Sequence, residues 1–428
     1  MSVLQKVLRG TARRAGLFHQ RRTAAHRAAA PLTLALTLVL AAPCFAQTAP
    51  PAAPAAPYGA STPATSEGSS VQLYGILDAG VRHVDQASKA GAVTQFASGL
   101  NTSRFGLRGN EIIDTDLRAF FRLEDGFNPG TGAQSNSGAL FDRTAMVGLG
   151  WRNWDLKLGR QEGFGYELAA SGATDPLAMA LNLPNPASPA AAGSKAPVLG
   201  ANPLQGLYSY TYGQLRFNNA VRVSTNHADW SAGLFYAFGG VSGSSTADSV
   251  RAGHLGIVLG PTHWEGIFQQ AIDLKGEHSS LGVLAGTWDI DPWKFQAGLH
   301  DVRIDAGFDA TGLGNGASGT GILGSSTTVS TALAGVHQDF RFTIADLGAT
   351  WSVTPTTPVT LAAYKTRSQG AGDGNSVALV ALGKWYLSRR TALYLEADHA
   401  VSSGTLATKT LTGGASELAF MTGVNVRF

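Results

Sequence analysis

The chain of 428 residues has a single cysteine, which excludes a disulfide scaffold and any thiolate zinc site. Only 14% of its residues are charged and lysine is scarce, so neither a coiled coil nor a charge-rich disordered chain fits. Acids are missing from the start of the chain: the first is Glu67. The apolar run from Leu32 to Ala42 is too short for a transmembrane helix, which needs about 20 residues. The formal net charge of +3 and a pI near 8.9 invite a nucleic-acid reading, and the placement of the cations decides it.

Lys6, Arg9, Arg13, Arg14, Arg21, Arg22 and Arg27 precede the apolar run, and Pro43-Cys44-Phe45-Ala46 follows it. A basic stretch, a short apolar stretch and a small residue at the cut describe an export signal over residues 1–46. The Arg13-Arg14 and Arg21-Arg22 pairs stand too far from the apolar run for a good twin-arginine signal, and Pro43 suits a lipoprotein cysteine poorly. Removing the leader takes seven cations and no acid, so +3 becomes about −4, and no cysteine remains. The basic balance belongs to the discarded part, so no nucleic-acid partner is expected. Residues 47–69 are mostly Ala, Pro, Thr, Ser and Gly, with Pro50, Pro51, Pro54, Pro57 and Pro63, and read as a linker.

From Val71 the apolar residues recur with period two. At the C-terminus Leu418, Phe420, Thr422, Val424, Val426 and Phe428 share one face, and Ala419, Met421, Gly423, Asn425 and Arg427 the other. The same alternation marks sixteen strands, starting near Val71, Ser103, Asp116, Leu140, Trp154, Leu215, Asp229, Arg251, His263, Ser279, Trp293, Phe340, Pro358, Ser376, Thr391 and Ala415. Short and long connections alternate, with one shorter than its place requires near Lys275 to His278. No long helical period appears after residue 46.

Tight turns on one side and long loops on the other predict an all-β, 16-stranded, antiparallel, up-and-down transmembrane barrel over residues 70–428. A bilayer satisfies no backbone group, so a sheet that spans it must close. The apolar face then meets lipid or a neighbouring subunit, and the polar face lines a channel. Trp151, Trp154, Trp230, Trp264, Trp293 and Trp385 fall at strand ends beside short turns, as an interfacial girdle would. The competing reading is a soluble barrel or sandwich with buried tryptophan.

Several stretches resemble the general porins of Gram-negative bacteria, of the β-proteobacterial type. They are residues 70–80, Ser103 to Gly109, Leu123 to Asn128, Leu140 to Leu149, Leu158 to Gln161, Tyr386 to Thr391 and the terminal Val424 to Phe428. The resemblance implies an outer-membrane, homotrimeric, water-filled pore for small hydrophilic solutes and ions. It also implies contact with outer-membrane lipids and lipopolysaccharide, and Phe428 as the signal read by the assembly machinery. A substrate-specific channel with a solute-binding constriction is the alternative.

In that family the third long loop folds inward and narrows the pore. Here it runs from Glu162 to about Gly213 and carries Glu162, Glu167 and Asp175, with prolines at 176, 184, 186, 189, 197 and 203. The resemblance sets it against a basic wall. Strand parity aims Arg104, Arg108, Arg118, Arg122, Arg216 and Arg222 into the lumen. Arg143 matches a basic constriction residue of the family, yet parity groups it with Ala145, Val147 and Leu149, so a bulge or change of environment is required.

Nothing points to catalysis. Gly314 to Gly319 matches a dinucleotide fingerprint but lacks the strand–helix context. The eight histidines left after cleavage have no metal spacing. No cofactor and no metal is expected, and an outer-membrane hydrolase is the weaker reading from another class.

Overall fold

A computed structural model of the chain describes residues 68–86, 93–135, 139–180, 202–204, 215–309, 313, 338–370, 372–404, 406 and 415–428. The expected leader and most of the expected linker lie outside the described residues, as do the glycine-rich stretch 314–319 and the prolines at 184, 186, 189 and 197.

Seventeen strands run β1 (Ser70–Gln86), β2 (Val93–Ala97), β3 (Arg104–Ile112), β4 (Leu117–Gly126), β5 (Thr144–Trp151), β6 (Trp154–Glu162), β7 (Arg216–Asn226), β8 (Trp230–Ala237) and β9 (Ser249–Leu259). They continue with β10 (Thr262–Ile272), β11 (His278–Ile290), β12 (Trp293–Ile304), β13 (Phe340–Thr354), β14 (Thr357–Gly370), β15 (Gly374–Tyr386), β16 (Thr391–Gly404) and β17 (Ser416–Arg427). One helix, α1 (Phe164–Ala170), follows β6. Each strand pairs antiparallel with its neighbours, and β1 pairs with β17, so the sheet closes. The long β1 pairs with β3 through Ser70 to Ile76 and with β2 through Gly80 to Val84. β2 and β3 are therefore two pieces of one stave, and the barrel has sixteen.

The sequence reading of a 16-stranded antiparallel barrel with an inward third loop holds. Every expected strand start falls within four residues of an observed one. The period of two carries this accuracy, because one face of each strand must be apolar. Val71, Leu73, Leu77 and Val81 stand exposed on the outside of β1, while Asp78 and Arg82 on the other face are fully buried. The inversion follows from the solvent: apolar side chains face hydrocarbon and polar ones face the lumen.

Short turns and both ends of the barrel lie together. The terminal Phe428 exchanges two backbone hydrogen bonds with Gly75, each 3.1 Å long. A Cβ at Gly75 would stand 2.2 Å from the Phe428 ring, so this closure demands glycine. All eight tryptophans, Trp288 and Trp351 included, are 41–55% exposed and sit at strand ends beside short turns, forming the girdle.

Candidate functional site

The site is built where the third long loop enters the barrel. Gly163 has extended backbone, which turns the chain off β6, and α1 follows with Phe164, Gly165, Tyr166 and Ala169 buried. The Phe164 ring packs on His254 of β9 at 4.4 Å and on Phe235 of β8 at 6.3 Å between centroids. Beyond the helix, Asp175 is buried among donors. Tyr364 Oη on β14 donates to it at 2.7 Å, Asn202 Nδ2 at 2.7 Å, and the backbone amides of Leu177 and Met179 at 3.0 and 2.7 Å. Burial raises the Asp175 carboxyl above the ordinary range against the pull of these bonds. Next to it, Pro176 lies against Gly348 of β13, where a Cβ would approach to 2.2 Å.

β6 and β14 are eight staves apart in a ring of sixteen, so a segment leaving one and docking on the other crosses the lumen. Loop position and length made this legible in sequence, but the helix was not. Seven residues are too few to show a helical period.

On the near wall, Glu124 of β4 is fully buried and gathers three arginines. Arg143 Nε donates at 2.7 Å, Arg122 Nη2 at 2.5 Å, and Arg104 Nε stands 3.9 Å away. Tyr74 Oη donates to Glu124 at 2.9 Å and accepts from Arg122 Nε at 2.8 Å. Glu162 takes Arg216 at 2.6 Å and reaches Arg143 at 3.9 Å. Glu167 of α1 pairs with Arg222. Burial alone would raise its carboxyl, but the nearby Arg222 and Lys157 charges hold it down at about 2.

The parity conflict at Arg143 disappears because β5 begins at Thr144, not near Leu140. Arg143 is a loop residue free of strand alternation, and its backbone amide donates to the Glu124 carbonyl at 3.1 Å. Arg104, Arg122, Arg143 and Arg216 thus meet around two carboxylates, Glu124 and Glu162. Arg222 and Glu167 meet beside them, whereas Asp175 stands apart on the far wall. Arg118 pairs with Asp155 at 2.6 Å and covers the Phe120 ring.

A cavity of about 160 Å³ opens beside this network, lined by Arg108, Arg118, Phe120, Arg122, Lys157 and Arg222 among others. Two of its cations lack a carboxylate. Arg108 Nε donates to Gln72 at 3.1 Å and its guanidinium covers the Tyr74 ring, while Lys157 has no ion pair within 4 Å among the described residues. Arg108 faces Arg122 across β3–β4, and Lys157 faces Arg222 across β6–β7. Like charges in direct register repel, so the wall carries unspent positive potential. Lys157 went unnoticed in the sequence, although alternation with Leu156 and Leu158 aims it inward. A second network was missed on β1, β16 and β17, where buried Arg82 meets Asp398 at 2.7 Å, Glu396 at 3.5 Å and Glu417 at 3.6 Å.

Comparison with known proteins bears on this geometry. The family model for Gram-negative porins matches residues 33–405. An outer membrane porin protein of Bordetella pertussis is 27% identical over 261 residues, 55% of this chain and 61% of the relative. Outer membrane porin protein 32 of Delftia acidovorans is 28% identical over 237 residues, 51% of this chain and 57% of the relative. The matched chain therefore spans about three fifths of these relatives' length. Among solved structures, an anion-selective porin from Comamonas acidovorans aligns with a TM-score of 0.61 at 20% identity, covering 84% of this chain and all of that one. OmpF of Salmonella typhi, in complex with daunomycin, aligns with a TM-score of 0.54 at 12% identity, covering 85% of this chain and 98% of that one. A closed sixteen-stave barrel crossed by its third loop, apolar outside and charged within, is matched along most of its length by that family model, and the chain belongs to the Gram-negative porins of the outer membrane.

Proposed function

We propose that the barrel is a passive-diffusion channel for small hydrophilic solutes with a preference for anions. The carrying observation is the charge lining the narrowed lumen. Arg104, Arg108, Arg118, Arg122, Arg143, Lys157, Arg216 and Arg222 gather there against Glu124, Asp155, Glu162 and Glu167. Glu162, Glu167 and the loop stand opposite or among arginines, so a transverse field crosses a narrow aqueous gap. Charged rings set ion preference and width sets the size limit. No chemical step is required of any residue.

Arg108 and Lys157 carry half of the positive excess in this reading: they have no carboxylate partner, while the other six cations share four carboxylates. Reversal potentials across a planar bilayer in a salt gradient test it. Wild-type protein is expected to favour the anion. Arg108→Gln with Lys157→Gln is expected to move the reversal potential toward zero more than Arg118→Gln with Asp155→Asn, which removes one charge of each sign. Cation preference in the wild type contradicts the reading.

The functional unit is a homotrimer, assembled after residues 1–46 are removed and Phe428 has been read by the assembly machinery. Single-channel records with three equal closing steps support it, and one step per insertion refutes it. The reading of a substrate-specific channel rests on the Arg108–Lys157 cavity, and saturable block by one anionic solute would favour it.

A further inference from the structure

Between β2 and β3 the second stave leaves the sheet. β1 pairs with β2 as far as Gly80–Ala97 and resumes with β3 at Ile76–Arg104, so residues 98–103 stand opposite only Leu77, Asp78 and Ala79. The extra length goes inward. Asp78 is buried on the inward face of β1, and its carboxylate takes the backbone amides of Gly99 at 2.7 Å, Leu100 at 3.2 Å and Asn101 at 3.1 Å. Three successive amides turned onto one carboxylate form a nest, and they fix this backbone on the lumen side of the sheet. Tyr394 Oη of β16 donates to the same carboxylate at 2.9 Å and Asn425 Nδ2 of β17 at 2.7 Å. The hydroxyls of Ser98 and Ser103 both donate to the Asp78 carbonyl, at 2.8 and 3.1 Å. A Cβ at Gly99 would stand 2.5 Å from the Tyr394 ring, so the bulge lies directly against β16.

This bulge faces the third loop. That loop crosses from β6 to β14, and α1 leans on β8 and β9. The open part of the lumen is therefore bounded by the other arc, from β15 through β17 and β1 to β5, and β1 is its middle stave. The heights agree as well. Arg104, next in the chain after the bulge, belongs to the Glu124 network at the root of the loop. Lys384 of β15 lies within electrostatic reach of both Asp78 and the loop's Asp175. Asn101 and Thr102 at the tip are partly exposed, whereas Gly99, Leu100 and Ser103 are buried. Asn101 Oδ1 accepts from Asn425 Nδ2 at 3.3 Å and from Arg427 Nη2 at 3.4 Å, which holds the tip over β17.

We propose that residues 98–103 form a second constriction element, which narrows the pore from the wall as the third loop narrows it from the other side, with Asn101 and Thr102 as its specificity-determining residues. Width and hydrogen bonding are set at this neutral tip, and the sign of the preferred ion is set by the arginines beside it. Bulges beside functional sites re-aim side chains and are built features of a sheet. One that only ended a strand pairing would need neither a buried carboxylate nor donors from two further staves. The inference rests on the reading of the barrel as a diffusion channel. Folded wild-type protein that does not conduct fails that reading, and conducting wild type puts the bulge itself to the test.

The experiment uses the full chain, with folding checked by heat-dependent gel mobility, in planar bilayers. Asn101→Cys is treated with a sulfonatoethyl or a trimethylammonioethyl methanethiosulfonate, and the adduct is confirmed by mass. Wild type, whose one cysteine is Cys44, is the control. Either adduct is expected to lower single-channel conductance roughly twofold or more, because width limits flow at this section. The sulfonate is expected to shift the reversal potential toward cations and the ammonium toward anions. Removing residues 99–101 leaves Ser98, Thr102 and Ser103 opposite Ala79, Asp78 and Leu77, in continuous register with both halves of the stave. That variant is expected to conduct more and to admit larger sugars in vesicle swelling. The adduct readings do not depend on its folding. Confirmed adducts that leave both conductance and reversal potential unchanged overturn the proposal. So does a thiol at position 101 that reacts only after the protein is unfolded.

Discussion

Glu124 shows how one buried carboxylate organises a lumen. It is fully buried, yet it is matched by three guanidinium groups and a tyrosine hydroxyl. Removing one partner from such a pair leaves buried like charges uncompensated, a loss of about 3–5 kcal/mol. Glu124→Gln is therefore expected to lower the urea midpoint of the folded barrel, read by gel mobility, and to strengthen anion preference by freeing Arg104 and Arg143. A different case is Asp248, in the loop before β9. Burial, then Asp273 and Asp309, push its carboxyl up to about 6. Its backbone also has positive φ, at 53°, which asparagine tolerates. With the folded value raised, the neutral form is favoured by folding, and that stability is lost as pH rises from about 4 through 6. Asp248→Asn is expected to leave thermal stability unchanged at pH 4 and to raise it at pH 8. An equal effect at both values would mean that charge is not the cause.

At the scale of elements, the sixteen staves were legible because each must repeat apolar and polar residues every second position to sit between lipid and water. What was not legible is what the lumen holds. Helix α1 is too short for a period, and the division of the second stave into β2 and β3 leaves no mark in alternation. Arg143 shows why parity misleads at strand ends: a start displaced from Leu140 to Thr144 releases the side chain from alternation altogether. Asp175 was expected among the arginines because it shares a loop with Glu167, but its partner Tyr364 is 189 residues away in sequence. These two loop anchors differ in kind. Glu167 is held by charge, with its carboxyl at about 2, so the α1–β7 contact is expected to survive down to about pH 3. Asp175 is held by neutral donors. Tyr364→Phe is expected to free the far end of the loop, seen as larger and noisier single-channel steps, while Phe164 and Glu167 keep α1 in place. Steps of unchanged size and noise would show that Pro176 against Gly348 suffices.

For the whole molecule, net charge and function point in opposite directions. Without residues 1–46 the chain is about −4, yet eight cations and four acids meet around the narrowed lumen. A solute crossing the pore responds most to charges within a Debye length, about 10 Å at 0.1 M salt. The chain's sign is thus a poor guide to selectivity, and the local excess is the better one. This makes the preference dependent on ionic strength. At 0.1 M the uncompensated Arg108 and Lys157 act across the gap, and at 1 M the Debye length of about 3 Å confines each field to its own side chain. Reversal potentials at one fixed concentration ratio are expected to show strong anion preference at low mean salt and weak preference at high mean salt. In Arg108→Gln with Lys157→Gln the salt dependence is expected to weaken, because the positive excess falls from four charges to two and the six remaining arginines share four carboxylates. A wild-type preference equal at both salt levels would place the selectivity in pore width and steric contact and not in the charged wall.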